Sequence, residues 1–277
     1  MVTASVHINL GPISDRGPGQ MDRLFAGLRL LRCEAALLLA LSASSPFLDG
    51  EVTGAHSQRW LQFPLTPAEV PLFLDHQHYI NWMGQQLELG TMQNVRHLWT
   101  SVRPNGDNRP HDLNRLEIRI CDLVTDPLLL LAITAFAELR LQQLLRQPEQ
   151  CDPLLASSLT PSELALLADA NEKAAAVSSL EATLHHWRHG QPVLAKNWLL
   201  EELAALAPLA SELGLTQLLA PLPEVLEQGN QAMRWLAGHQ AGVPISKLLS
   251  LEIAAMATRE VELLEAIATD TGPLPLG

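Results

Sequence analysis

Polar and apolar residues alternate without a break from Arg115 to Ile120, reading Arg-Leu-Glu-Ile-Arg-Ile. A period of two marks a strand with one buried face. Leu116, Ile118 and Ile120 are therefore expected in a core, with Arg115, Glu117 and Arg119 in a row on the other side. Trp99 to Arg103 predicts a second strand, and Asn105-Gly106 opens the connection between the two. That connection is long and carries proline, so it is expected to be an irregular loop. The same alternation runs from Thr3 to Leu10, placing Val6, Ile8 and Leu10 inward and Ser5, His7 and Asn9 on a shared polar face.

Elsewhere the apolar period is helical. A Gly/Pro loop from Gly11 to Gly19 precedes a helix from about Gln20 to Ala43, whose broad apolar face includes Leu24, Leu28, Leu31, Ala35, Leu38 and Leu39. Thr66-Pro67-Ala68-Glu69 is a capping box with proline at the first helical position, predicting a helix to about Leu89 that Gly90 ends. Thr125-Asp126-Pro127 opens an apolar helix to about Arg146. A second capping box, Thr160 to Glu163, predicts a helix through Asn171 toward His189. Further helices are expected over about 196–213, 222–239 and 246–268, separated by Pro or Gly. The fold class is α+β: a partial antiparallel sheet packed on helices over 1–126, then a mainly helical portion over 127–277, within a single catalytic-type domain.

Composition narrows the function. Only 4% of residues are aromatic while Leu and Ala abound, which favours helix over sheet. A net charge of −12 argues against nucleic acid or an anionic membrane as the main partner. Residues 1–126 hold ten Arg and no Lys against thirteen acids, a net of −3; residues 127–277 hold eight bases against seventeen acids, a net of −9. An all-arginine basic set suits bidentate recognition of carboxylate or phosphate, although arginine-rich coding gives the same bias with no function attached. Cys33, Cys121 and Cys151 form no CxxC and are odd in number, which fits a reduced, cytosolic protein. Leu24 to Ala43 is broken by Arg29, Arg32 and Glu34 and is no membrane span. There is no secretory pattern at the start and no internal repeat.

Glu117 between Arg115 and Arg119 is either a neutralised surface ladder or the wall of an anion and metal site. The loop from Ser42 through Gly50, Thr53-Gly54 and His56-Ser57 to Arg59 is either a surface turn or a substrate loop. In the second case hydroxyls such as that of Ser45, and backbone N–H groups, approach an anion that Arg59 clamps. His76 and His78 are two apart, the wrong spacing for paired ligands on one helical face. His185, His186 and His189 have helical spacing but no acidic partner beside them, so a solvated helix face is expected. Cys33 is expected to be a small core residue.

Four segments, VTASVHINLG, LALSASSPFLDGEVTGAHSQRW, LGTMQNVRHLWTSVRPNGDNRPHDLNRLEIRICDLVTDP and LADANEKAA, closely resemble the cyanobacterial-type glutamate–cysteine ligases. These belong to the ATP-dependent carboxylate–amine ligases with a glutamine-synthetase-like fold. The resemblance spans most of residues 2–190 and fades toward the C-terminus. It implies an antiparallel sheet whose polar face carries magnesium-bound ATP and glutamate, with helices on the other face. ATP phosphorylates the glutamate γ-carboxylate, and the amine of cysteine displaces the phosphate, the first step of glutathione synthesis. By resemblance Glu117 is a metal ligand; Arg119 and Arg103 serve the transferring phosphoryl group or a substrate carboxylate. His7, Asn9, Ser45 and Arg59 then bind substrate. The family also implies a preceding section with two more strands and the other magnesium-binding glutamates, so Met1 falls where an internal residue is expected. The rival expectations are a carboxylate–amine ligase with another amine acceptor, and a non-catalytic remnant that binds substrate or a partner chain.

Overall fold

The computed structural model describes residues 5–11, 19–63, 67, 69–92, 98–103 and 115–269, the last four by backbone alone. The expected Gly/Pro loop after Gly11, the Asn105-Gly106 connection, and Thr66 and Ala68 of the first capping box lie outside the described residues.

The sheet has the order β1-β5-β4, all antiparallel, from β1 (Ile8–Leu10), β4 (Thr100–Arg103) and β5 (Arg115–Ile118). Asn9 lies opposite Glu117 on one side, and Ser101 opposite Glu117 on the other. Val102, Leu116 and Ile118 are buried on one face together with Ile8 and Leu10, as the alternation predicts. Against that face packs α1 (Gln20–Ser42), buried on every side from Leu24 to Ser42. Beyond its expected apolar stripe it is buried all round, because α4 (Pro127–Arg146) and α7 (Pro161–Ser178) pack on its other sides.

Between α1 and the sheet strands comes a small hairpin of β2 (Phe47–Leu48) and β3 (Glu51–Val52). Asp49 and Gly50 both take positive φ in its turn, the twist a two-residue hairpin needs. Then follow α2 (Gln58–Leu61) and α3 (His76–Glu88). The helix expected from Pro67 begins only at His76. Asp75 caps it by accepting from the His78 N–H at 2.7 Å, while residues 69–74 run without helix. Two short turns of helix, α5 (Pro148–Cys151) and α6 (Pro153–Ala156), lead from α4 to α7. Both later start signals hold: Asp126 caps α4, and Thr160 with Glu163 forms a complete capping box on α7.

The helix expected to reach His189 stops at Ser178. Ser179 takes a φ of +44°, and the chain turns into the hairpin β6 (Thr183–His185) and β7 (Pro192–Leu194). The expected solvated helix face of histidines is therefore absent: His186 is buried, its ring stacked 4.4 Å from Trp198, and burial pushes its pKa down to about 4. The chain ends in α8 (Ala195–Glu212), α9 (Pro221–Gln228), α10 (Gln231–Gln240) and α11 (Ile245–Thr269). The helix expected over 222–239 is two helices, broken at Gly229, where Asn230 starts the second by accepting from the Met233 N–H.

The charges that interrupt α1 are all buried and paired. Arg29 makes a two-pronged bond to Asp152, 2.9 and 2.5 Å. Arg32 bridges Asp169 and Glu172. Glu34 receives Arg140 at 2.9 and 2.6 Å and the Trp187 indole at 3.0 Å, while Glu202 takes the remaining Arg140 amine at 2.7 Å. Arg32 and Glu172 also line a cavity of about 200 Å³ with Trp60, Trp99 and Asp169 on the helical side of the sheet.

Candidate active site

With one sheet face packed on α1, every side chain of the opposite parity is turned the other way. Register then decides which of them meet. Glu117 is on the central strand; Arg103 donates from Nε to its Oε2, which settles Arg103 on the same face. Arg119 Nη1 lies 3.6 Å from the other carboxylate oxygen, and His7 Nδ1 lies 3.5 Å from it. Arg115 donates to Asn9 Oδ1 at 2.7 Å. The structure thus gathers five of the expected site residues, His7, Asn9, Arg103, Glu117 and Arg119, onto one patch.

The electrostatics of that patch are lopsided. Burial alone would raise the Glu117 pKa, but the Arg103 hydrogen bond and the charges of Arg103, Arg119 and His7 outweigh it and hold the carboxyl below its ordinary value. His7 is shifted down, first by desolvation and then by Arg119, so it is neutral at pH 7. Among the described residues one anion, Glu117, therefore meets the guanidiniums of Arg103 and Arg119, with Arg115 held to Asn9 beside it, on a surface partly open to water. Ser101, directly across from Glu117, has a buried hydroxyl with no hydrogen-bond partner among the described residues. Such a patch attracts an oxyanion.

As a magnesium site the same patch does not fit. Magnesium takes a near-octahedral set of oxygens, usually with one or more uncommitted carboxylates. Among the described residues Glu117 is the single acid of this patch and is held by Arg103, and no cluster of three or more His, Cys, Asp or Glu among them could hold a metal ion.

Ser45 and Arg59 are placed differently from the other five. Both converge on Asp122, fully buried just past β5. Asp122 accepts from the Ser44 N–H at 3.0 Å and from the hydroxyls of Ser45 and Ser57 at 2.7 and 2.9 Å. Arg59 Nη1 is 3.5 Å from Asp122 and donates to the Ile120 carbonyl at 3.0 Å, while Nη2 donates to the Arg119 carbonyl at 2.8 Å. Its guanidinium also lies 5.3 Å from the Trp99 ring centre. Both terminal nitrogens of Arg59 thus grip the backbone that carries Arg119, so in this structure Arg59 is a positioning residue rather than an anion clamp. Burial raises the Asp122 pKa, and the donors from Ser44, Ser45, Arg59 and Ser57 pull against that rise. Asp122 was within a conspicuous motif yet carried no signal of its own; three serines and an arginine spaced along one loop are what a buried carboxylate needs.

The comparisons with known proteins agree on a family. The family model described as Glutamate-cysteine ligase family 2 matches residues 1–247. A Gloeobacter violaceus protein named as a glutamate–cysteine ligase 2 is 31% identical over 202 residues, covering 72% of this chain and 51% of that protein. One from Rubrobacter xylanophilus, named as a glutamate–cysteine ligase 2-3, is 29% identical over 217 residues, 78% of this chain and 54% of its own. The chain spans about half the length of these curated relatives. A crystal structure of glutamate–cysteine ligase from Francisella tularensis in complex with AMP superposes with a TM-score of 0.56 at 12% identity. That superposition covers 87% of this chain and 59% of the other and shows the shared α+β fold. With nearly nine-tenths of its length matched and the fold in agreement, the chain belongs to glutamate-cysteine ligase family 2.

Proposed function

We propose that the sheet face around Glu117 is the phosphate-facing half of an ATP-dependent glutamate–cysteine ligase site. The carrying observation is the cation excess there: Arg103 and Arg119 flank one carboxylate, with Arg115 beside them and neutral His7 at the rim. The AMP held by the Francisella protein of similar fold supports a nucleotide as the source of that phosphate.

In this reading an oxygen of the glutamate γ-carboxylate attacks the γ-phosphorus of ATP, and the bond to ADP breaks. The acyl phosphate that forms is opened by the cysteine amine, which loses a proton and releases inorganic phosphate as the amide bond closes. The chain's own contribution is electrostatic and positional. Arg119 faces the oxygens on which charge builds, and Arg59 fixes its backbone from below. Arg103 holds Glu117 in place and adds a second positive charge. Magnesium, which ATP brings, would draw its carboxylates from outside the described residues, since Glu117 by itself is already compensated.

The test is glutamate-dependent release of ADP with ATP, magnesium and a panel of amines. Release with cysteine above all others supports the ligase; release with another amine keeps the chemistry and changes the acceptor. The pairing of the lone acid with Arg103 favours a second reading, in which the chain binds glutamate or a phosphate without turnover. Binding by calorimetry with no ADP formed under any condition would select it.

A further inference from the structure

Helix α11 leaves much of its apolar surface uncovered. Toward the rest of the protein it turns Ile245, Leu248, Ala255 and Leu263 together with Glu252, which accepts from Thr125 at 2.6 Å and from Gln231 at 3.1 Å. Beside it Arg259 donates to Glu252 at 2.7 Å and lies 3.7 Å from Asp126. Toward solvent it turns Leu249, Leu251, Ile253, Met256, Val261 and Leu264, between 38% and 65% exposed. A helix on a protein surface ordinarily buries its apolar side and solvates its charges. The family match ends at residue 247, near the start of this helix. Large exposed apolar stretches of this kind mark a surface that something covers.

We infer that α11 pairs antiparallel with α11 of a second copy, giving a two-fold dimer. The middle of the helix matches itself on reversal. The helix has its midpoint at Ala257, and reversal about that point sets Ile253 against Val261 of the copy. Ala254 and Ala257 stand at the centre, where small side chains let two helix axes approach closely. Charge selects the orientation: Lys247 is at the N-terminal end, and Glu260, Glu262 and Glu265 are at the C-terminal end. An antiparallel pair brings each lysine toward the other copy's acids and opposes the two helix dipoles, whereas a parallel pair would align like charges. The same acids set this surface against an anionic membrane, which calls for Lys and Arg beside the apolar stripe. A patch identical on both partners closes on itself and stops at two.

Light scattering on a sizing column, with the full chain, measures this directly. The wild type should run as a dimer. Ile253→Glu with Leu264→Glu should run as a monomer with unchanged circular dichroism, since both side chains are mostly exposed in the single chain. Ala257→Cys, near the two-fold axis, should form a disulfide-linked dimer under mild oxidation. The wild type should not, because Cys33, Cys121 and Cys151 are buried. A monomeric wild type overturns the inference, including one that instead floats with phosphatidylserine vesicles. So does a dimer that survives the double substitution or that Ala257→Cys fails to cross-link.

Discussion

Arginine and carboxylate meet in two regions of this molecule, with opposite surpluses. On the helical side the acids outnumber their partners: Arg32 serves both Asp169 and Glu172, and Arg140 serves both Glu34 and Glu202. All of them but Asp169, which is a third exposed, are buried or nearly so. On the polar sheet face one acid among the described residues, Glu117, is surrounded by Arg103, Arg119 and His7. The consequences follow from where the spare charge is. Inside, one guanidinium cannot fully offset two carboxylates, and burial pushes Glu172 up to about 7, against its neighbour Arg32. On the face, the surplus is positive and next to solvent, and it holds the lone carboxylate ionised. The first arrangement locks helices together; the second leaves positive charge beside solvent.

The largest effect separates these roles by activity. Arg119→Gln should lower glutamate-dependent ADP release by on the order of 10³-fold, the range for a cation on a transferring phosphoryl group, and change stability by under about 1 kcal/mol. A large loss of stability with it would move Arg119 into the structural class. Next, Arg140→Ala should cost about 3–5 kcal/mol in urea unfolding, because it strands Glu34 and Glu202 without their cation. A midpoint near wild type would break the comparison from the other side.

A smaller effect reads the acid surplus through pH. The folded pKa of Glu172, about 7, is above the ordinary carboxyl value, so the folded state holds a proton that the unfolded state has released. Its contribution to stability is full below the ordinary carboxyl pKa and is lost as pH rises to about 7. Relative to wild type, Glu172→Gln should gain in melting temperature from acid to neutral pH and then stay level. A difference that is flat over this window would mean that Glu172 is ionised throughout. The smallest effect is a control: Arg146 and Glu212 make a two-pronged pair, 2.7 and 2.8 Å, in open solvent. Arg146→Ala should leave the melting temperature unchanged.

The site strand was legible because alternation is a local signal. Parity alone puts Glu117 and Arg119 on one face; His7 and Asn9 join them through the family resemblance, and the register that brings Arg103 to Glu117 needed the structure. The α4 and α7 starts were legible for the same reason, since each cap is written within four residues. What failed was long-range or competed locally. Arg29, Arg32 and Glu34 looked like interruptions of an apolar run, because their partners are more than a hundred residues away at Asp152, Glu172 and Arg140. Thr66 to Glu69 has a cap's composition, but Asp75 starts the helix. The histidines near 185 have helical spacing, yet Gly190 and Pro192 suit a hairpin turn and strand better than another helical turn, and Trp187 buries the result. Ser45 and Arg59, expected at a ligand, hold Asp122 and the backbone under Arg119 in this structure.

The most direct test of an anion site built for acyl-phosphate chemistry follows one oxygen atom. The chain is incubated with ATP, magnesium, cysteine and glutamate labelled with heavy oxygen in its γ-carboxylate, and the released phosphate is weighed by mass spectrometry. The account predicts one labelled oxygen in each phosphate formed. Phosphate released without label, or none that depends on glutamate, would contradict it.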